Sequence, residues 1–420
     1  MSTILYNANS TLVSRFQRKI KSAEEIQHES EEDPRFESLF PLDSREYLQE
    51  LCCSIYTESL MNRINNLSST KLAMHAFCAL LIKNFVKSWY GTKIATSDLE
   101  LIQELFDLIE QVSNYLTKTI IDWEQLVCDD IPFVLTQHVN IMRHVMEEDL
   151  TYEKFLDLYL YEGEYPNVIS DRILEPLVSK SMLQKTFLNE LFRSLLFERV
   201  VESLMDPSVL MDIITKFAKS INDKSERQPR LSLFSYISKL KGKILGAVQY
   251  FSKLEKVIIS SSDEMVPFSH RYIFSFLKTI FRLNSRRPLL YTILKYMQCF
   301  AANQPAINTF LRSTFHNVLS SKILASNTIT EGFCKLRHIL FPKDNKFNPG
   351  RKILSEDELI ALKTQCEENL TRILKHHSLF TVLAISQRDI HGFIEALNRD
   401  KRMNTLLLYK IIETIVAHAT

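Results

Sequence analysis

The chain has 420 residues, 45% of them hydrophobic and 24% charged, enough for one large or two to three ordinary domains with real cores. Lysine and arginine number 51 against 50 aspartates and glutamates, so a formal net charge of +1 excludes a global field for nucleic acid or a polyacidic partner. Only 7 glycines leave little material for phosphate loops, hairpin turns or Rossmann crossovers, and the composition predicts an all-α fold.

The N-terminal "MSTILYNANSTLVSRFQRKIK" lacks the apolar core of a signal peptide, and its basic residues follow the apolar ones. Apolar runs such as "HAFCALLI" fall well short of the ~20 residues that span a bilayer, so no transmembrane anchor is expected. Residues 21–34, "KSAEEIQHESEEDP", read as a solvated acidic linker, making 1–44 an N-terminal segment plus linker with order expected to begin near Asp43. The cysteines Cys52, Cys53, Cys78, Cys128, Cys299, Cys334 and Cys366 are scattered and mostly lie in apolar helical patterns, which fits a reduced, cytoplasmic setting.

Residues 45–220 show helix after helix, with breaks expected at "WYGTKIATSD", "CDDIP", "EGEYPN" and "MDPS". Asp98 is expected to cap the helix that follows it, and Pro132 to sit in a helix's first turn behind an aspartate cap. A polar break, "INDKSERQPR", then opens a linker region, 221–268. Within it, residues 231–259 carry apolar Phe234, Ile237, Leu240, Ile244, Val248, Phe251, Leu254 and Ile258 at helical spacing, with Lys239, Lys241, Lys243, Lys253 and Lys256 on the polar side. Such a basic amphipathic profile suits docking to an anionic membrane surface, where each basic residue contributes about 1 kcal/mol. A core-packed connecting helix with solvated lysines explains the same pattern, and Gly242 and Gly246 weaken the helix in either case. Residues 269–420 are helical again, broken at "NSRRP", "NQP" and "FPKDNKFNPGRK".

The usual signatures of chemistry are missing. The sequence holds no CxxC pair, HExxH, EF-hand loop or GxSxG elbow. His138 and His144 stand six apart and do not share a face at one-turn spacing, while Asp129 and Asp130 before Pro132 suit capping better than acid–base work. Neither an enzyme nor a metal site is expected.

The series "LLIKNFVKSWYGTKIATSDLELIQELFDLI", "DWEQLVCDDIPFVLTQHVNIMR" and "FLNELFRSLLFERVVESLMDPSVLMDII" resembles the PX-associated (PXA) domain of the sorting nexin superfamily. The matching positions are Trp89, Tyr90, Ser97, Asp98, Asp130, His138, Asp206 and Pro207. Further on, "HILFPKDNKFNPGRK", with Phe341 and Pro342, and "FIEALNRDKRMNTLLLYKIIETIV", with Asn404 before an apolar run, look like the nexin C-terminal domain of that superfamily. The resemblance implies a compact, fungal-type member lacking PX, RGS and transmembrane segments, its PXA (45–220) and nexin-C (269–420) halves packed into one helical unit around an apolar tunnel. It also implies non-enzymatic lipid handling at contacts of endoplasmic reticulum, vacuole or endosome, and lipid droplets.

Tunnel lining would need apolar faces left unused by packing. The candidates are Phe77, Leu81 and Phe85; Leu105, Leu108 and Ile109; Phe274, Leu277 and Phe281; and Leu407, Leu408, Ile411 and Ile415, each equally explained as ordinary core. Trp89 and Tyr90 are read as structural, closing a helix end. The expected ligand is a phospholipid or fatty acid, and the expected partners are membrane lipids, an anionic membrane surface and a membrane-anchored protein. A helical scaffold that recruits partner proteins without carrying lipid is the alternative, and no motif for small-GTPase binding is present.

Overall fold

The computed structural model describes residues 35–87, 90, 100–161, 163–174, 186, 188–190, 192–226, 266–347, 355–376 and 379–419. Among these the regular structure is helical, without a strand, so the all-α expectation holds. The chain forms two units, each drawn from two separate stretches of sequence: Met1–Gln103 with Thr330–Pro349, and Glu104–Ile329 with Gly350–Thr420.

In the first unit, Ser44 opens the helix Arg45–Ile55 by accepting the Tyr47 amide, and Tyr47, Leu48, Leu51, Cys52 and Ile55 form its buried stripe. That stripe packs against Ser69–Leu81, whose cap is Ser68. The segment "FPKDNKF", far along the chain, closes this pair. Phe341 is fully buried and meets Phe77 edge-on at 6.3 Å, while Phe347 meets Phe85 edge-on at 5.1 Å. Asn84 fixes the loop by donating to the Asn345 carbonyl and accepting the Phe347 amide, both at 2.8 Å.

In the second unit the expected break at "CDDIP" is absent. Trp123–Gln125 runs through a π turn, Leu126–Asp130, straight into Ile131–Glu148. Pro132 lies in the first turn of that last segment, where its missing N–H removes no needed bond, so the chain stays helical across it. Asp130 occupies the cap position without making a side-chain cap bond, which corrects the expectation of an aspartate cap. The break at "MDPS" is present: Asp206 accepts the Ser208 amide and hydroxyl ahead of the helix Pro207–Glu226.

Among the described residues, three buried clusters in this unit each join residues from before 226 to residues after 355. Met403 and Leu406 of the C-terminal helix Lys401–Ala419 pack with Met142, Val145, Phe155 and Tyr159. Tyr409, one turn on, packs with Ile169, Phe197 and Val201 and donates to the Phe197 carbonyl. Met211 of Pro207–Glu226 packs with Cys366, Ile390 and Ile394. The C-terminal helix is therefore part of the core of the central helices, and truncating it would expose both faces it covers.

Candidate functional site

Most of the described residues that carry the family resemblance have structural tasks. Trp89, Ser97 and Asp98 lie outside the described residues, whereas the Tyr90 amide donates to the Val86 carbonyl at 2.9 Å. Asp130 Oδ2 stands 2.7 Å from Nε2 of His418 and ties the π turn to the C-terminal helix. Pro207 begins its helix, Phe341 is core, Pro342 is exposed, and Asn404 is buried with its amide donating to the Leu397 carbonyl at 2.9 Å.

His138 is buried beside Phe155, and its Nδ1 shares a hydrogen bond with the Tyr159 hydroxyl. Burial pushes its pKa down from the ordinary 6.5 to about 4. The unfolded chain binds this proton near 6.5 and the folded one does not until about 4, so stability falls as pH drops through that window. Fully expressed, the loss is about 3 kcal/mol. Urea midpoints of the wild type should therefore decline more steeply between pH 6.5 and 4 than those of His138→Gln; parallel curves would refute a buried neutral imidazole.

The candidate tunnel residues do not gather into one described cavity. In the first unit Phe77 and Leu81 are buried and Phe85 is half-buried, with both phenylalanines engaged by the "FPKDNKF" aromatics. In the second unit Leu105 is buried, and Leu108, Ile109, Phe274, Phe281, Leu407, Leu408 and Ile411 are half-buried, while Leu277 and Ile415 are exposed. Phe274 sits edge-on to Phe268, and Leu408 packs against the Tyr409 cluster. The membrane-docking candidates Phe234, Ile237, Lys239, Leu240, Lys241, Lys243, Ile244, Phe251 and Lys253 lie outside the described residues.

Three features of the second unit escaped the sequence. The first is an ionic cluster around buried Glu124. Arg271 Nη2 reaches Glu124 Oε1 at 2.5 Å, Arg312 Nε reaches Oε2 at 2.8 Å, and His316 Nε2 lies 3.3 Å from the same oxygen. Burial pushes the Glu124 carboxyl up, but hydrogen bonds from Arg312 and Arg271 outweigh it and hold the pKa below the ordinary 4.5. Asp129 pairs with Arg271 at 2.5 Å and accepts the Tyr272 amide at 2.6 Å, so it caps the helix Tyr272–Ile280 from another element.

The second is an exposed apolar face on the helix Pro288–Ala302. Leu289, Ile293, the adjacent Tyr296 and Met297, and Phe300 stand one helical turn apart in succession and are between 55% and 81% exposed. Its opposite face, with Tyr291 and Gln298, turns inward. The third is a cavity of about 260 Å³ lined by Arg143, Ser275, Lys278, Thr279, Arg282, Asn284 and Tyr291. None of the candidate tunnel residues lines it. No local signal announces either feature, since an apolar stripe reads as core and Arg143 lies far along the chain from Lys278 and Arg282.

No helix among the described residues is long and apolar enough to cross a membrane. Nor, among the described residues, do three or more His, Cys, Asp or Glu stand together where they could hold a metal ion. The class of this helical protein follows from its sequence family. A model of the PXA domain matches residues 68–217, and the chain belongs to the PXA family, a sorting-nexin-like family of membrane trafficking. It is 31% identical to "Uncharacterized protein YDR179W-A" of Saccharomyces cerevisiae (strain ATCC 204508 / S288c) over 460 aligned positions, covering 99% of each chain. No solved structure matches it.

Proposed function

We propose that the chain is a non-enzymatic lipid-binding and lipid-transfer protein. It works peripherally at organelle membrane contacts, among endoplasmic reticulum, vacuole or endosome and lipid droplets, in vacuolar or endosomal trafficking. The observation that carries this reading is the exposed face of Pro288–Ala302: five large apolar side chains on one helix, two of them aromatic, where a soluble monomer rarely leaves so much contiguous apolar surface.

Its occupant is a lipid bilayer. Residues 286–302, "RRPLLYTILKYMQCFAA", hold three cations and no acid; Arg286 is paired with Asp389, while Arg287 and Lys295 supply positive charge that complements anionic headgroups, and tyrosine and phenylalanine suit the interface between headgroups and acyl chains. Membership of a membrane-trafficking family supports the same reading. The nexin-C resemblance of residues 269–420 and the docking role of residues 231–259 belong to this proposal.

Organic extraction of the full chain after size exclusion, read by lipid mass spectrometry, is the test of lipid carriage. Stoichiometric phospholipid or fatty acid is expected. Flotation on phosphatidylcholine vesicles containing phosphatidylserine is the test of docking, and Ile293→Asp with Phe300→Asp should abolish it while leaving the thermal melt intact. An empty protein whose flotation ignores both substitutions would overturn the proposal in favour of a scaffold that recruits partner proteins through helical surfaces.

A further inference from the structure

The cavity between the end of Tyr272–Ile280 and the start of Pro288–Ala302 is crowded with positive charge. Arg143, Lys278 and Arg282 all line it. Among the described residues, the one carboxylate paired with any of them is Glu147, which accepts from Arg282 at 3.1 Å and is itself largely exposed. Three cations against one carboxylate leave a local surplus of two positive charges.

The existing partners use only part of this donor set. Arg143 donates to the carbonyls of Thr279 and Ile280 at 3.1 and 2.6 Å, neutralising the negative end of that helix, and the rest of its guanidinium fork is uncommitted in those bonds. Lys278 gives one hydrogen bond, to Gln298 at 2.7 Å, and lies over the Tyr291 ring at 5.8 Å. Burial pushes the Arg143 pKa down, and Arg282 and Arg286 push it further, while burial and Lys295 lower that of Lys278. Packing like charges together is unfavourable, and a helix end needs one arginine to cap it, not three cations around a cavity. Arg282 also adopts a left-handed backbone, φ 47°, an uncommon conformation for a residue with a side chain and one that recurs at functional sites.

We propose that this cavity binds a phosphate monoester group, carried either by a phospholipid headgroup or by a free phosphorylated compound. A phosphate monoester carries a charge of about −1.5 to −2, matching the surplus. Guanidinium forks pair with its oxygens two at a time, the lysine supplies a point charge, and Ser275, Asn284 and Tyr291 add polar side chains around the rim. A volume of about 260 Å³ admits the phosphate with part of the group that bears it. The inference is independent of acyl-chain carriage and of the apolar face.

The test uses the full chain with glycerol 3-phosphate as the soluble probe, followed by titration calorimetry, and phosphatidylcholine vesicles with or without phosphatidic acid as the membrane probe. Lys278→Gln combined with Arg282→Gln leaves the structural Arg143 in place and should weaken glycerol 3-phosphate roughly tenfold or more without changing the melt. Lys335→Gln, on a helix surface of the other unit, should bind as the wild type does. Capture on phosphatidic acid vesicles, reversed by glycerol 3-phosphate, would place the phosphate on a lipid; soluble binding without capture would place it on a free compound. If neither probe binds, or the double variant binds both as well as the wild type, the proposal falls. Phe300→Asp separates the two readings, since it should lose vesicles through the apolar face yet keep glycerol 3-phosphate.

Discussion

Replacing Arg337 by methionine should destabilise the chain by about 3–5 kcal/mol, the range for breaking a buried ion pair from one side. Arg337 is 0% exposed and Asp344 is 1% exposed. The guanidinium holds Asp43 through Nη2 at 2.5 Å, and its Nε lies 2.9 Å from Asp344 Oδ1, close enough for ionic attraction although off-axis for a hydrogen bond. Tyr47 donates to the other Asp344 oxygen at 2.6 Å, and the guanidinium lies over the Tyr47 ring at 5.6 Å. Burial raises the Asp43 pKa, but hydrogen bonding to His338 and the charge of Arg337 bring it below the ordinary 3.8. Methionine fills most of the volume but leaves Asp344 a buried carboxylate with no cation. If that unpaired charge is the cost, adding Asp344→Asn should recover more than half of the loss in urea denaturation. A double variant no more stable than the single one would place the cost in packing instead.

Glu124→Gln should cost about 3 kcal/mol, because it keeps the shape of the side chain and removes the buried charge that two arginines share. Arg271 retains Asp129, and Arg312 loses the Glu124 carboxylate while its Nη2 bond to the Val266 carbonyl remains. The native pKa of Glu124 lies below the unfolded value, so its stabilisation is complete above about 4.5 and is lost as pH falls through the depressed native value. The gap between wild type and variant should therefore be widest near neutral pH and close in acid. A gap that persists unchanged at pH 2 would show that the loss arises from hydrogen-bond geometry rather than from the charge. A small effect throughout would mean that Arg271 and Arg312 reach solvent more readily than their burial implies.

Much of the local structure was legible. Apolar spacing over 45–220 announced successive helices, and Asp206 with Pro207 announced a break between two of them, because these patterns report bonds a segment makes with itself. "CDDIP" misled for an instructive reason: aspartates before a proline resemble a cap, yet a π turn absorbs the proline and frees both carboxylates for partners far away, Asp129 for Arg271 and Asp130 for His418. Apolar stripes carry a different limit. Periodicity marks a face without saying what covers it, so Phe77 and Leu81 proved buried while the equally regular Leu289, Ile293 and Phe300 stand in solvent.

By itself the sequence determined the all-α class, the helix break at Asp206 and Pro207, and the PXA membership, all of which rest on short-range periodicity, capping chemistry and the order of motifs. Only the tertiary structure decided that "FPKDNKF" closes the N-terminal helices, that the last helix belongs to the core of the central ones, and that Glu124 meets an arginine 147 residues away. It also decided that Arg143, Lys278 and Arg282 share a cavity. These are meetings of distant residues, and in a chain of nearly balanced charge every cation has many acids within reach of its composition. Which of them it meets depends on how the apolar faces pack and which polar groups that packing then traps.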